Sequence, residues 1–122
     1  MSSETRGGRL RSPRLTIEAA IGIAEKAIDF VSGDTLETYL ENTERQFAIE
    51  RALIRYGEAL KDLPSDVIAS LDPAVDWDGP RRFRDLASHW YTDGLDHRVI
   101  WNAVKIALPD AVIALRRWLD EN

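Results

Sequence analysis

Apolar side chains recur along this chain at spacings of three and four, the period of a helix that buries one stripe. The first run is Ile17, Ala20, Ile21, Ala24, Ile28 and Val31. Ser12 and Pro13 predict its start, as an N-cap and a proline in the first turn, and Gly33 is placed to end it. A second run joins Phe47, Ile49, Ala52, Leu53, Tyr56, Ala59 and Leu60 before Pro64, and Thr43 with Gln46 forms a capping-box pattern ahead of it. Gly57 interrupts this helix at a cost of about 1 kcal/mol relative to alanine, which predicts a close crossing by another helix.

Residues 35–41 and 65–71 predict short helices, and residues 72–79 a loop rich in turn formers. Pro80 opens a third main helix that runs to Tyr91, with Thr92, Asp93 and Gly94 as its breaker. Asp96 is placed to cap a helix bearing Val99, Ile100, Val104 and Ile106. Pro109 kinks or divides that segment before a last run of Val112, Ile113, Leu115, Trp118 and Leu119. No stretch shows the alternation of a half-buried strand. The expectation is an all-α protein: an antiparallel up-and-down helical bundle with four main helices plus short ones. Residues 12–122 make one domain, and residues 1–11 read as a flexible basic tail.

Composition narrows the chemistry. With 122 residues and no cysteine, the chain can bury a core without disulfides, and thiolate metal sites are excluded. No apolar run approaches a membrane span and no signal peptide is recognisable, so a soluble cytoplasmic protein with no membrane partner is expected. The net charge of −5 argues against a protein that coats nucleic acid non-specifically. It is unevenly spread, because residues 1–14 carry a net +3 and leave the remainder at −8. Against that acidic body, Arg81, Arg82 and Arg84 form a basic spot in which the one carboxylate is Asp85.

The segment from Arg84 to Tyr91 then stands out. On a helix at about 100° per residue, Arg84, Asp85, Ser88, His89 and Tyr91 share one face, while Phe83, Leu86, Ala87 and Trp90 share the apolar one. Cleavage of RNA by attack of the neighbouring 2′-hydroxyl needs a group that moves protons and a cation for the developing charge, but no metal. Histidine suits the first role, with an unperturbed pKa of about 6.5, and the arginine fork suits the second. Asp85, one turn before His89, is placed to orient or charge the imidazole, with Ser88 beside it. Arg81 and Arg82 are candidate RNA contacts. His97 reads as a surface histidine in a loop, no zinc pattern is present, and the four tryptophans read as core or helix-end residues.

With its long helix ending in Tyr56-Gly57-Glu58-Ala59, its motif Arg84-x4-His89-x-Tyr91, and its later Ile100-Trp101 and Leu108-Pro109, the chain resembles the HepT-like toxins of the HEPN superfamily. The likeness runs from Leu15 to Leu119, with Asp85 where the family usually has asparagine or another polar residue. It implies a homodimer whose motif helices line a shared cleft, and a metal-independent endoribonuclease with Arg84 and His89 catalytic. It further implies a toxin–antitoxin pair with an MntA-type nucleotidyltransferase that transfers AMP to Tyr91. No cofactor is implied for the chain itself; ATP serves the transferase. Two other readings compete: a non-catalytic helical subunit that binds a nucleotidyltransferase or its substrate, and a structural dimer in which Arg84, Asp85 and His89 are a surface ion cluster.

Overall fold

The computed structural model describes residues 12–87 and 95–122. Among them every regular element is helical: α1 (Pro13–Phe30), α2 (Leu36–Leu40), α3 (Thr43–Lys61), α4 (Ser65–Ser70), α5 (Asp78–Ala87), α6 (His97–Asn102), a π-helical segment (Ala103–Ala107) and α7 (Leu108–Glu121). The chain has the expected all-α, HEPN-like bundle architecture. None of these helices is long and apolar enough to cross a membrane.

α1 is the central element, packed against both α3 and α7, and α3 in turn carries α5. Its stripe is buried as the spacing predicts, with Ile17, Ala20, Ile21, Ala24 and Val31 almost fully enclosed and Ile28 partly so. Ser12 caps it by accepting a hydrogen bond from the Leu15 amide. The helix stops at Phe30, before Gly33. A turn closes it instead, in which the Ser32 amide and hydroxyl both donate to the Asp29 carbonyl.

α3 starts from a different cap than the one predicted. Asn42 is the N-cap, its side-chain oxygen accepting from the Arg45 amide, and Thr43 is already helical. Gln46 is thereby freed for another task. Its amide donates to the carbonyls of Tyr39 and Leu40 and ties α2 to α3. The capping box belongs to α2, where Thr35 and Thr38 exchange bonds.

Several apolar residues expected inside are on the surface: Phe47, Leu86, Val99, Ile106 and Ile113 are each more than half exposed. All but Leu86 share their helix with truly buried neighbours, such as Ile49, Ile100, Val104, Val112 and Leu115, whereas α5 has no fully buried residue among those described. Pro109 neither ends nor sharply divides its helix. A proline has no amide to donate and its ring collides with the carbonyl four residues back. The backbone answers by widening into the π-helical segment Ala103–Ala107 just before it, so that the helical run continues from α6 through this segment into α7.

Candidate active site on the α3–α5 crossing

The crossing that Gly57 predicts is made by α5. A β-carbon built on Gly57 would collide with the Pro80 carbonyl oxygen and lie 2.9 Å from the Arg84 β-carbon. Only a hydrogen fits there, so the backbone of α3 touches the first turns of α5. α5 begins at Asp78, two residues before Pro80, where the Asp76 carboxylate accepts from the amides of Asp78 and Gly79. Phe83 is its anchor, partly buried against the core, and Leu86 stays exposed.

The close crossing sets Glu58 and Lys61 of α3 against Arg84 and Asp85 of α5. Arg84 is half-buried, with Nη2 3.5 Å from Glu58 Oε2 and Nη1 3.2 Å from Asp85 Oδ1. Its Nε is shut from solvent and has no hydrogen-bond partner among the described residues. The same Asp85 oxygen accepts from Lys61 Nζ at 2.8 Å. That bond, with those from Arg84, holds the Asp85 carboxyl below the usual aspartate range. The guanidinium is thus aimed by two carboxylates while part of its fork stays open to solvent, an arrangement suited to an incoming phosphate oxygen.

Of the residues singled out in the sequence, the structure brings Arg84 and Asp85 together. Ser88, His89 and Tyr91 lie outside the described residues, as does the basic tail, residues 1–11. Arg81 is not a free cation, because it pairs with Asp78. Arg82 is exposed and has no ion-pair partner among the described residues. Lys61 was not visible as a site residue in the sequence, although it stands one turn after Gly57 on the crossing face. Glu58, the residue after Gly57, stands beside Arg84.

His97 departs from its expected place as well. It is the first residue of α6, only 29% exposed in its side chain, with Nδ1 3.8 Å from Glu50 Oε2 and its ring edge-on to Tyr39. Burial raises the Glu50 carboxyl above its usual range, an effect that the nearby His97 opposes. Tyr39 also packs on Trp101, over which Lys105 Nζ sits 5.0 Å from the ring centre. Among the described residues no group of histidines and carboxylates is arranged to hold a metal ion. An apolar groove of about 690 Å³ runs between α3, α5, α6 and α7, with Tyr56, Phe83, Val99, Ile100 and Ile113 in its walls.

In sequence the chain is similar to several known proteins. A protein of Methanocaldococcus jannaschii named as an RNase is 36% identical over 85 residues, 70% of this chain and 69% of that protein. A Thermococcus cleftensis protein bearing the name ribonuclease HepT is 35% identical over 99 residues, 81% of this chain and 88% of its own length. A third, from Caldanaerobacter subterraneus and named as an RNase, is 28% identical over 101 residues, 83% of this chain and 88% of that protein. No solved structure gives a significant match. The family described as "Ribonuclease HepT-like" matches residues 17–117, a span that holds α3, α5 and the whole Arg84–Tyr91 motif. The chain belongs to the HepT-like ribonuclease family.

Proposed function

We propose that this protein is the toxin of a type VII-like HEPN/MNT pair, a metal-independent endoribonuclease centred on Arg84 and His89. The observation that carries the reading is Arg84 itself. It is a half-buried guanidinium, aimed by carboxylates from two helices, in the motif of a family whose relatives are named as ribonucleases. In the reaction, the 2′-oxygen of the RNA bonds to the adjacent phosphorus, the bond from phosphorus to the 5′-oxygen breaks, and a cyclic phosphate and a free 5′-hydroxyl result. His89 takes the proton from the 2′-hydroxyl or delivers one to the leaving oxygen, and Arg84 stabilises the charge that builds on the phosphate. Asp85 and Ser88 support the histidine, and Arg82 meets the RNA backbone.

The working unit is a homodimer. Support comes from the exposed Val99 and Ile113 beside the apolar groove, which give a second copy something to cover. The antitoxin is an MntA-type nucleotidyltransferase. In the inactivation step the Tyr91 hydroxyl attacks the α-phosphorus of ATP, pyrophosphate leaves, and the bound AMP obstructs the motif face. Arg84→Ala and His89→Ala should each abolish growth inhibition and RNA cleavage while leaving the helical fold intact. Toxicity and cleavage undiminished in both variants would overturn the assignment. Tyr91→Phe should escape the mass gain of AMP transfer when incubated with transferase and ATP; a mass gain in that variant would place the acceptor elsewhere.

A further inference from the structure

Lys61 is one of three lysines in the chain. Of the others, Lys26 is exposed on α1 and Lys105 lies over Trp101. Lys61 instead crosses from the end of α3 to α5, where it shares a single oxygen with Arg84: Asp85 Oδ1 accepts from Lys61 Nζ at 2.8 Å and from Arg84 Nη1 at 3.2 Å. The two nitrogens are therefore no farther apart than those two bonds laid end to end, about 6 Å. A charge-assisted bond to a phosphate oxygen takes about 2.7–2.9 Å, so two cations at this separation can each reach an oxygen of one phosphate.

We propose that Lys61 is a second phosphate-binding cation of the Arg84 site, and that Asp85 is the counterion that keeps the two cations together until RNA takes its place. The inference rests on the ribonuclease reading above. As an ion pair alone the contact would do little, since both side chains are substantially exposed, 41% for Lys61 and 53% for Asp85, and such pairs contribute little to stability. The same exposure is what ligand exchange requires. Asp85 releases Oδ1 to water by turning its own side chain, and the flexible lysine stem follows the phosphate. Glu58 remains on Nη2 and keeps the Arg84 fork in orientation while Nη1 changes partner. Fixed backbone contact at Gly57 holds the α3 and α5 residues in register through the exchange.

The test is equilibrium binding of a 2′-O-methylated single-stranded RNA, which cannot be cleaved by 2′-hydroxyl attack, to the full chain with unmodified Tyr91 across a range of salt. Lys61→Gln should weaken binding about 10-fold or more. It should also lower the slope of log affinity against log salt by about 0.7, the loss of one phosphate contact to a single strand. Lys61→Arg should restore both affinity and slope, Lys26→Gln should leave both at wild-type values, and Asp85→Asn should keep the wild-type slope. On cleavable RNA, Lys61→Gln should raise KM more than it lowers kcat. Wild-type affinity, slope and KM in Lys61→Gln, with cleavage intact, would overturn this proposal and leave the ribonuclease reading standing. Neither binding nor cleavage by the wild-type protein would overturn both.

Discussion

Two tyrosine hydroxyls, on Tyr39 and Tyr56, are enclosed in the bundle with no hydrogen-bond partner among the described residues. The Tyr39 phenol is pushed up to about 12, first by burial and then by the charges of Glu50 and Asp34, so it stays neutral throughout the working range. A buried hydroxyl without a partner costs roughly 1–3 kcal/mol of desolvation. Tyr39→Phe, which keeps the ring contacts with His97 and Trp101, should therefore leave the urea midpoint unchanged or raise it; a loss beyond about 1 kcal/mol would mean the hydroxyl is bonded. Asp85 works in the opposite sense. Its carboxyl is held low by Lys61 and Arg84, so the stability it contributes is present above the ordinary aspartate pKa of about 3.9 and fades as pH falls through the lower value in the fold. Because the pair is so exposed, wild type and Asp85→Asn should have closely similar urea midpoints at neutral pH, and the small difference should shrink with salt and vanish in acid. Arg84 was legible as a site residue because its chemistry follows from residue type and its spacing to His89. Lys61 was not, because its role depends on which helix crosses α3. Asn42 and Thr43 are adjacent and both good caps, so only the backbone decides between them.

At the scale of elements, the site is made by one contact. A methyl group on Gly57 would meet α5 backbone at the Pro80 carbonyl, which cannot move aside as a flexible side chain would. Alanine gains about 1 kcal/mol of helix propensity, but forced overpacking costs roughly 1–3 kcal/mol. Gly57→Ala should be net destabilising in urea, and its RNA cleavage should fall further than its stability because α5 carries Arg84. Wild-type stability and cleavage in that variant would show that the crossing tolerates separation. Gly57 announced the crossing, but helix periodicity carries no information on the partner. The π-helical turn before Pro109 was half legible. Proline signals a disturbed ladder, whereas the choice between break, kink and widened turn is settled by the packing of Ile100 and Val104 on one side and Val112 and Leu115 on the other. Periodicity also misplaced Phe47, Val99, Ile106 and Ile113, because a spacing rule marks an apolar stripe without telling which of its members reach the core.

Across the whole molecule, the helical class followed from the three-and-four spacing and from the lack of strand alternation, and α1, with its dense apolar stripe, is the helix packed against both α3 and α7. The family match, residues 17–117, covers all but the first and last turns of the bundle. Charge makes sense at this scale as well. An acidic body repels RNA in general, so under the proposed function binding concentrates where Arg84 and Lys61 meet at Asp85. The proposed activity is cleavage of RNA at the Arg84–His89 motif without a metal. Its most direct test is cleavage of RNA by the purified protein in excess chelator, with Tyr91 verified as unmodified by intact mass, comparing wild type with His89→Ala. Cleavage by wild type that is lost in His89→Ala is the expected result. No cleavage by unmodified wild type on several classes of RNA, or cleavage that persists in His89→Ala, would contradict it.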